Sequence, residues 1–146
     1  MEIFVYRQGA DTVEEGFSSD ELPELLEDKD NLVWVDFLGE TAEQNDQARR
    51  IMLDIFHFHH LNVEDCLETR NQPKVEAFPS YIYLIIHGIK PGETRPDNFA
   101  TKEMDSFLGD NFVVTYHTQR FRSVKSVKDQ IRASNFACKR GAAYLL

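Results

Sequence analysis

The chain has 146 residues, a formal charge of −9, and 42% hydrophobic, 12% aromatic and 28% charged residues. Eleven Phe and five Tyr exclude a disordered or low-complexity chain and supply one core, so a single domain is expected. The acidic balance excludes nucleic acid and anionic membrane surfaces as general partners, and Cys66 and Cys138, without CxxC spacing, exclude a disulfide framework or zinc ribbon and point to a reducing cytoplasm.

Taken in chain order, IFVYR (3–7) reads as a first strand, and a short second strand is expected between Thr12 and Phe17. Ser19 or Asp20 is expected to cap a short helix through Leu26, with Pro23 in its first turn. LVWVDFL (32–38) is nearly continuously apolar, the pattern of a central strand buried on both faces. Thr41 with Gln44 forms a capping box, and Ala48, Ile51, Met52, Ile55 and Phe56 then share one face of a helix over 41–56. Asn62 is expected to cap a further short helix, placing Glu64 and Asp65 in its first turn, where carboxylates suit the positive end of the helix dipole.

After Pro73 the pattern becomes extended. Segments 74–78, 81–89, 100–108 and 111–117 are rich in β-branched and aromatic residues, with a tight hairpin at 109–111 and a longer exposed turn at 91–98. Val124, Val127 and Ile131 stripe a last helix to about Ala137, which Gly141 ends or kinks. This order gives an α/β (α+β) fold, a mixed β-sheet sandwiched between helix layers, with no internal repeat. The last residues, GAAYLL, open a new apolar stretch and stop, as expected of a truncated domain.

Charge is unevenly spread. From Gln119 onward seven basic residues accompany Asp129 alone, a net of +6, whereas the preceding 118 residues carry −15. The basic end reads as a solvated helix face or as a surface for an acidic neighbour, another copy of the chain included, and it lacks the interleaved aromatics that stack bases.

There is no signal peptide pattern in MEIFVYRQGADTVEEG, and no apolar run approaches the roughly 20 residues that a membrane helix needs, so the fragment is expected to be soluble. No GxSxG elbow, P-loop or GxGxxG is present, and the chain is not expected to be an enzyme. The densest chemistry lies in HFHHLNVEDC (57–66), where His57, His59, His60 and Cys66 are of the types that bind zinc but lack HExxH. Glu64 and Asp65 point in different directions from a helix start, so a hard-cation site there would need ligands from elsewhere, such as a neighbouring subunit and water.

The run FHFHHLNVEDCLETRNQPKVEAFPSYIYLII (56–86) resembles the signature of the CorA-type divalent-cation transporter family: a His-containing helix junction, Glu-Asp, then a Pro-Lys-Val-Glu entry into a strand. LVWVDF is similar to the family's tryptophan strand, MDSFLGDNFVVTYH to its late hairpin and RGAAYLL to the approach to its long helix, so the resemblance covers 32–146. It implies that residues 1–146 are the cytoplasmic N-terminal domain, with an α/β/α fold, at the cytoplasmic face of the cell membrane. The domain would be cut off before the long helix and the membrane spans.

The resemblance further implies a homopentamer in the full-length protein and a regulatory Mg2+ ion between subunits. Asp65 would bind the ion with Glu64 as its neighbour, capping and metal binding coexisting, and the partner carboxylate would lie beyond Leu146. Other divalent cations are compatible, and zinc-transporting relatives share this domain. Two departures stand out: His60 occupies a position where the family commonly has Pro, and the Gly-Met-Asn pore signature is absent from the chain. The competing readings are a stand-alone acidic interaction module and a zinc-dependent enzyme built on His57, His59, His60 and Cys66.

Overall fold

The structure, a computed structural model, describes residues 1–68, 71–89 and 101–146. Seven strands, β1 (Glu2–Arg7), β2 (Glu14–Glu15), β3 (Asn31–Leu38), β4 (Lys74–Ala77), β5 (Ile82–Ile89), β6 (Thr101–Leu108) and β7 (Phe112–His117), form one sheet in the order β2-β1-β3-β7-β6-β5-β4. Among the described residues four helices accompany them: α1 (Leu22–Glu27), α2 (Ala42–Asp54), α3 (His60–Leu67) and α4 (Arg122–Ala133). β3 and β7 run parallel, and the other pairs are antiparallel. The mixed sheet and its helices bear out the expected fold class.

Strand alternation divides the core in two. On one face Ile3, Val5, Val33, Val35, Phe107 and Val114 pack against α1, α2 and α3; on the other Phe4, Tyr6, Leu32, Trp34 and Val113 pack against α4 and the turns that follow it. β3 and β7 therefore need apolar residues on both sides, which is why LVWVDFL carries no polar alternation.

Local signals explain most boundaries. Thr41 caps α2 as expected: its side chain accepts from the Gln44 amide at 3.2 Å while the Gln44 side chain reaches back to the Thr41 amide at 3.0 Å. The helix stops at Asp54 rather than Phe56, because Phe56 and Phe58 bond back to Ile51 and Met52 and draw the chain across its end. The first cap is Ser18, not Ser19 or Asp20: Ser18 and Glu21 form a reciprocal box around a 3-10 turn (Ser19–Glu21) leading into α1. α4 ends at Ala133, short of the expected Ala137, with the Ser134 amide bonded to the Gln130 carbonyl. The 109–111 hairpin joins β6 to β7 through a Gly109 amide to Phe112 carbonyl bond of 3.0 Å, and the 91–98 turn lies outside the described residues.

The basic C-terminal segment meets acidic residues of the same chain. Arg132 forks onto Glu15 of β2 at 2.8–3.3 Å. Lys128 reaches through the α4 interface to Glu2 and, at 2.6 Å, to Asp36, which is 2% exposed on β3. Asp36 also accepts from Thr115 Oγ1 and faces His117 Nε2 at 3.2 Å, and Trp34 Nε1 donates to Thr115 at 3.0 Å. Burial by itself would raise the Asp36 carboxyl, but the His117 and Lys128 contacts more than offset it and hold it below its ordinary value. Its contribution to stability is therefore present above about pH 4 and lost as the pH falls further.

Between β4 and β5 the α4 side of the sheet is bare among the described residues, leaving Val75 (70%), Ile82 (38%) and Ile86 (37%) in contact with solvent.

Removing one partner of a buried ion pair leaves an uncompensated charge, a loss of roughly 3–5 kcal/mol. Lys128→Met is accordingly expected to destabilise the domain by about 3 kcal/mol in urea unfolding, and Lys128→Met/Asp36→Leu to recover most of that loss.

Candidate metal site

The site grows from the junction between α2 and α3. His57 sits in the left-handed region at φ 54°, the one non-glycine described residue with positive φ, and turns the chain so that Phe58 enters the core. There Phe58 stacks on Phe107, centroids 4.1 Å apart and rings 4° from parallel. The following amide, His59 N–H, donates to Tyr81 Oη at 3.0 Å, and the His59 carbonyl accepts from Asn62 and Val63 to start α3.

This geometry corrects the expected cap. His59, not Asn62, is the N-cap, and Asn62 is buried, its amide 3.5 Å from Tyr81 Oη. Glu64 and Asp65 consequently fall beyond the first turn, which contains no acidic residue, so neither caps α3 nor compensates its positive end.

The histidines do not converge with Cys66. His57, His59 and His60 are exposed, the last two stacked on each other at 4.6 Å, whereas Cys66 points inward and is 1% exposed. Burial first, then nearby Asp105, Glu103 and Asp65, push the Cys66 thiol well above its ordinary value, the opposite of what a thiolate ligand requires. Among the described residues no three His, Cys, Asp or Glu side chains are grouped to hold an ion. A zinc enzyme built on these four residues is therefore not the arrangement found.

Glu64 is exposed, while Asp65 is half-buried with its side chain 38% accessible. Lys74 Nζ donates to Asp65 Oδ2 at 2.7 Å, lies 3.4 Å from Glu76 and sits 5.2 Å from the centre of the Tyr83 ring. The Asp65 hydrogen bond is the main reason that Lys74 is held above its ordinary pKa. The Asp65 carbonyl accepts from Asn71 Nδ2 at 2.7 Å, and Asn71 also donates to Glu103 at 2.9 and 3.1 Å. Deeper in the same region Asp105, 2% exposed, accepts from Tyr83 Oη at 2.6 Å. Burial, reinforced by Glu103 and Asp65, pushes the Asp105 carboxyl up to about 8.

Around α3 the fold thus places Asp65, Glu103 and Asp105 in one region, with Lys74 bonded to Asp65. Carboxylate oxygens suit a hard divalent ion, and one chain presents Asp65 and Glu64 at its surface. Those two fit Mg2+ in donor chemistry and fall short in number, so a complete site would take further oxygen ligands from a second chain or water.

Lys74, Asn71, Tyr83, Glu103 and Asp105 were missed in the sequence as parts of this site. The available signal was Asp105 itself, a charge in an inward-facing strand position opposite Ile85 and Tyr116.

A carboxyl whose pKa is higher folded than unfolded keeps a proton that the unfolded chain releases. The stability contributed by Asp105 therefore falls as the pH rises from about 4 to about 8 and is level above that. Asp105→Asn, whose amide oxygen still accepts from Tyr83, is expected to be more stable than the parent at pH 9 by on the order of 2 kcal/mol. Urea unfolding at pH 5 should show a smaller gain.

The family profile described as "CorA-like Mg2+ transporter protein" matches residues 29–146. The "Putative metal ion transporter YfjQ" of Bacillus subtilis (strain 168) is 31% identical over 112 residues, which cover 77% of this chain and 32% of the relative. The full-length CmaX protein superposes with a TM-score of 0.75 at 14% identity, over 99% of this chain and 43% of that one. The soluble domain of CorA from Methanocaldococcus jannaschii gives 0.68 at 15%, over 98% and 52%. The ZntB cytoplasmic domain from Vibrio parahaemolyticus RIMD 2210633 gives 0.66 at 12%, over 92% and 50%. At these identities the superpositions establish a shared fold. The chain spans about a third of the length of the curated relative, at 32%.

Proposed function

The chain belongs to the CorA-like Mg2+ transporter family, and on that premise we propose that residues 1–146 are the cytoplasmic N-terminal domain of a longer divalent-cation transporter. In this reading the domain is regulatory and non-catalytic, stands at the inner face of the membrane, and works as one member of a homopentamer. The long helix and membrane spans follow Leu146. Among the described residues nothing covers Val75, Ile82 and Ile86, which supports a further layer of protein over the sheet.

The observation that carries the reading is the position of Asp65. It stands half-exposed at the end of an acidic cluster, beside exposed Glu64, with its Oδ2 accepting from Lys74. Asp65, with Glu64 next to it, would hold a regulatory Mg2+ together with a carboxylate of the adjacent subunit and water. Bound there, the ion supplies positive charge between acidic surfaces. Lys74 orients the Asp65 carboxylate in its absence, while Asn71 fixes the backbone of α3 through the Asp65 carbonyl.

Regulation by such an ion requires that it bind the closed arrangement of subunits more tightly than the open one. At high cytoplasmic Mg2+ the closed ring prevails; at low Mg2+ the carboxylates repel across the interface, and the −9 charge of each chain adds to that repulsion.

Flux measurements on the full-length transporter in vesicles, with internal Mg2+ varied, test this assignment. Asp65→Asn is expected to need at least tenfold more internal Mg2+ for half-inhibition, with uninhibited flux preserved. Inhibition identical to the parent would remove Asp65 from the mechanism.

A further inference from the structure

Asp65 and Glu76 share one ammonium. Lys74 Nζ donates to Asp65 Oδ2 at 2.7 Å and stands 3.4 Å from Glu76 Oε1. Lys74 and Glu76 alternate with Val75 on β4, so their side chains leave the strand on the same face, the one from which Lys74 meets α3. All three charged side chains are partly open to solvent, Asp65 at 38%, Lys74 at 30% and Glu76 at 43%.

The lysine stem is flexible, and its ammonium is a compact charge with three donors. It lies 5.2 Å from the centre of the Tyr83 ring, and Tyr83 is directly opposite Glu76 in the β4–β5 register. Both carboxylates are therefore within reach of the same ammonium, and a small rotation of the stem carries it from one to the other without stranding either charge. The Asp65 hydrogen bond first, then the attraction of Asp65 and the contact with Glu76, hold Lys74 above its ordinary pKa, so it stays charged in this position.

A cation that takes Asp65 does so against this contact. A tethered group competes at a high effective concentration, and a site that is free only part of the time shows an affinity reduced by the free fraction. The position of Lys74 on Asp65 thus bears directly on how much free cation is needed to fill the site.

We propose that Lys74 is a built-in competitor for the divalent cation at Asp65: it occupies the carboxylate in the ion-free state, gives it up by moving onto Glu76, and so sets the Mg2+ concentration at which the site fills. The proposal rests on the Asp65 reading above and adds to it the residue that sets its threshold.

Thermal unfolding of the full-length transporter in detergent, over a series of Mg2+ concentrations, tests the proposal, because an ion that binds the assembled state stabilises it. The quantity read is the Mg2+ concentration that gives the half-maximal rise in Tm. Lys74→Gln is expected to lower this midpoint about fivefold, the scale of a partly exposed ion pair. Lys74→Arg, which keeps the charge but can grip a carboxylate with two parallel hydrogen bonds, is expected to raise it about threefold. Glu76→Gln removes the second berth; it should raise the midpoint about twofold in the parent and leave it unchanged in Lys74→Gln.

Asp65→Asn separates the two readings. If that variant keeps the parent's Mg2+ response, the Asp65 assignment falls and this proposal with it. If Asp65→Asn loses the response while Lys74→Gln leaves the midpoint unchanged or raises it, Lys74 is no competitor and the Asp65 assignment stands. Should Lys74→Gln not assemble, an unchanged or lowered midpoint in Lys74→Arg overturns the proposal by itself. A Glu76→Gln effect that persists in full without Lys74 overturns the handover.

Discussion

Everything in this fold depends on the parallel pairing of β3 with β7. Two parallel neighbours cannot be joined by a hairpin, and here α2, α3 and β4 to β6 all lie between them in the chain. The pairing obliges both strands to be buried on both faces and places a helix layer on each side. It also fixes where polar chemistry appears, because the carboxyl ends of the two strands are the place where their backbones part. Gly39 marks the limit of that closeness: its amide donates to the His117 carbonyl at 3.0 Å, and a Cβ there would collide with the Tyr116 hydroxyl.

The two buried carboxylates show how environment decides the state of one chemical group. Asp36 and Asp105 are equally hidden, each 2% exposed. Burial raises both, but the His117 and Lys128 contacts outweigh it at Asp36 and hold that carboxyl below its ordinary value; at Asp105 burial, reinforced by Glu103 and Asp65, outweighs the Tyr83 hydrogen bond and pushes the group toward its neutral form. The first ties α4 to the sheet. The second lies under α3, where the negative charges of Glu103 and Asp65 favour its protonated form and Lys74 opposes it.

At the junction of α2 and α3, packing rather than cation chemistry sets the backbone. Phe58 needs a place against Phe107, and the left-handed turn at His57 provides it. The histidines are left outside as a consequence, which is why so dense a cluster of ligand-type residues assembles no centre with Cys66. The charge segregation resolves in the same way: Lys128 and Arg132 of the basic segment are answered by Glu2, Asp36 and Glu15 within the chain.

By itself the sequence determined the elements whose information is local. Period-two strands, the Thr41–Gln44 box, the stripe of α4 and the doubly buried character of 32–38 follow from residues within a few positions of one another, and the family was legible in the order of its motifs. Tertiary structure alone decided what depends on distant partners. The cap of α3 moved to His59 because Tyr81, 22 positions away, takes its amide. The state of Asp36 rests on His117 and Lys128, 81 and 92 positions distant, and that of Asp105 on its burial beside Tyr83, 22 positions distant. Spacing along a chain cannot report which long-range side chain will neutralise a buried charge or satisfy a helix end; that is settled by sheet order and register.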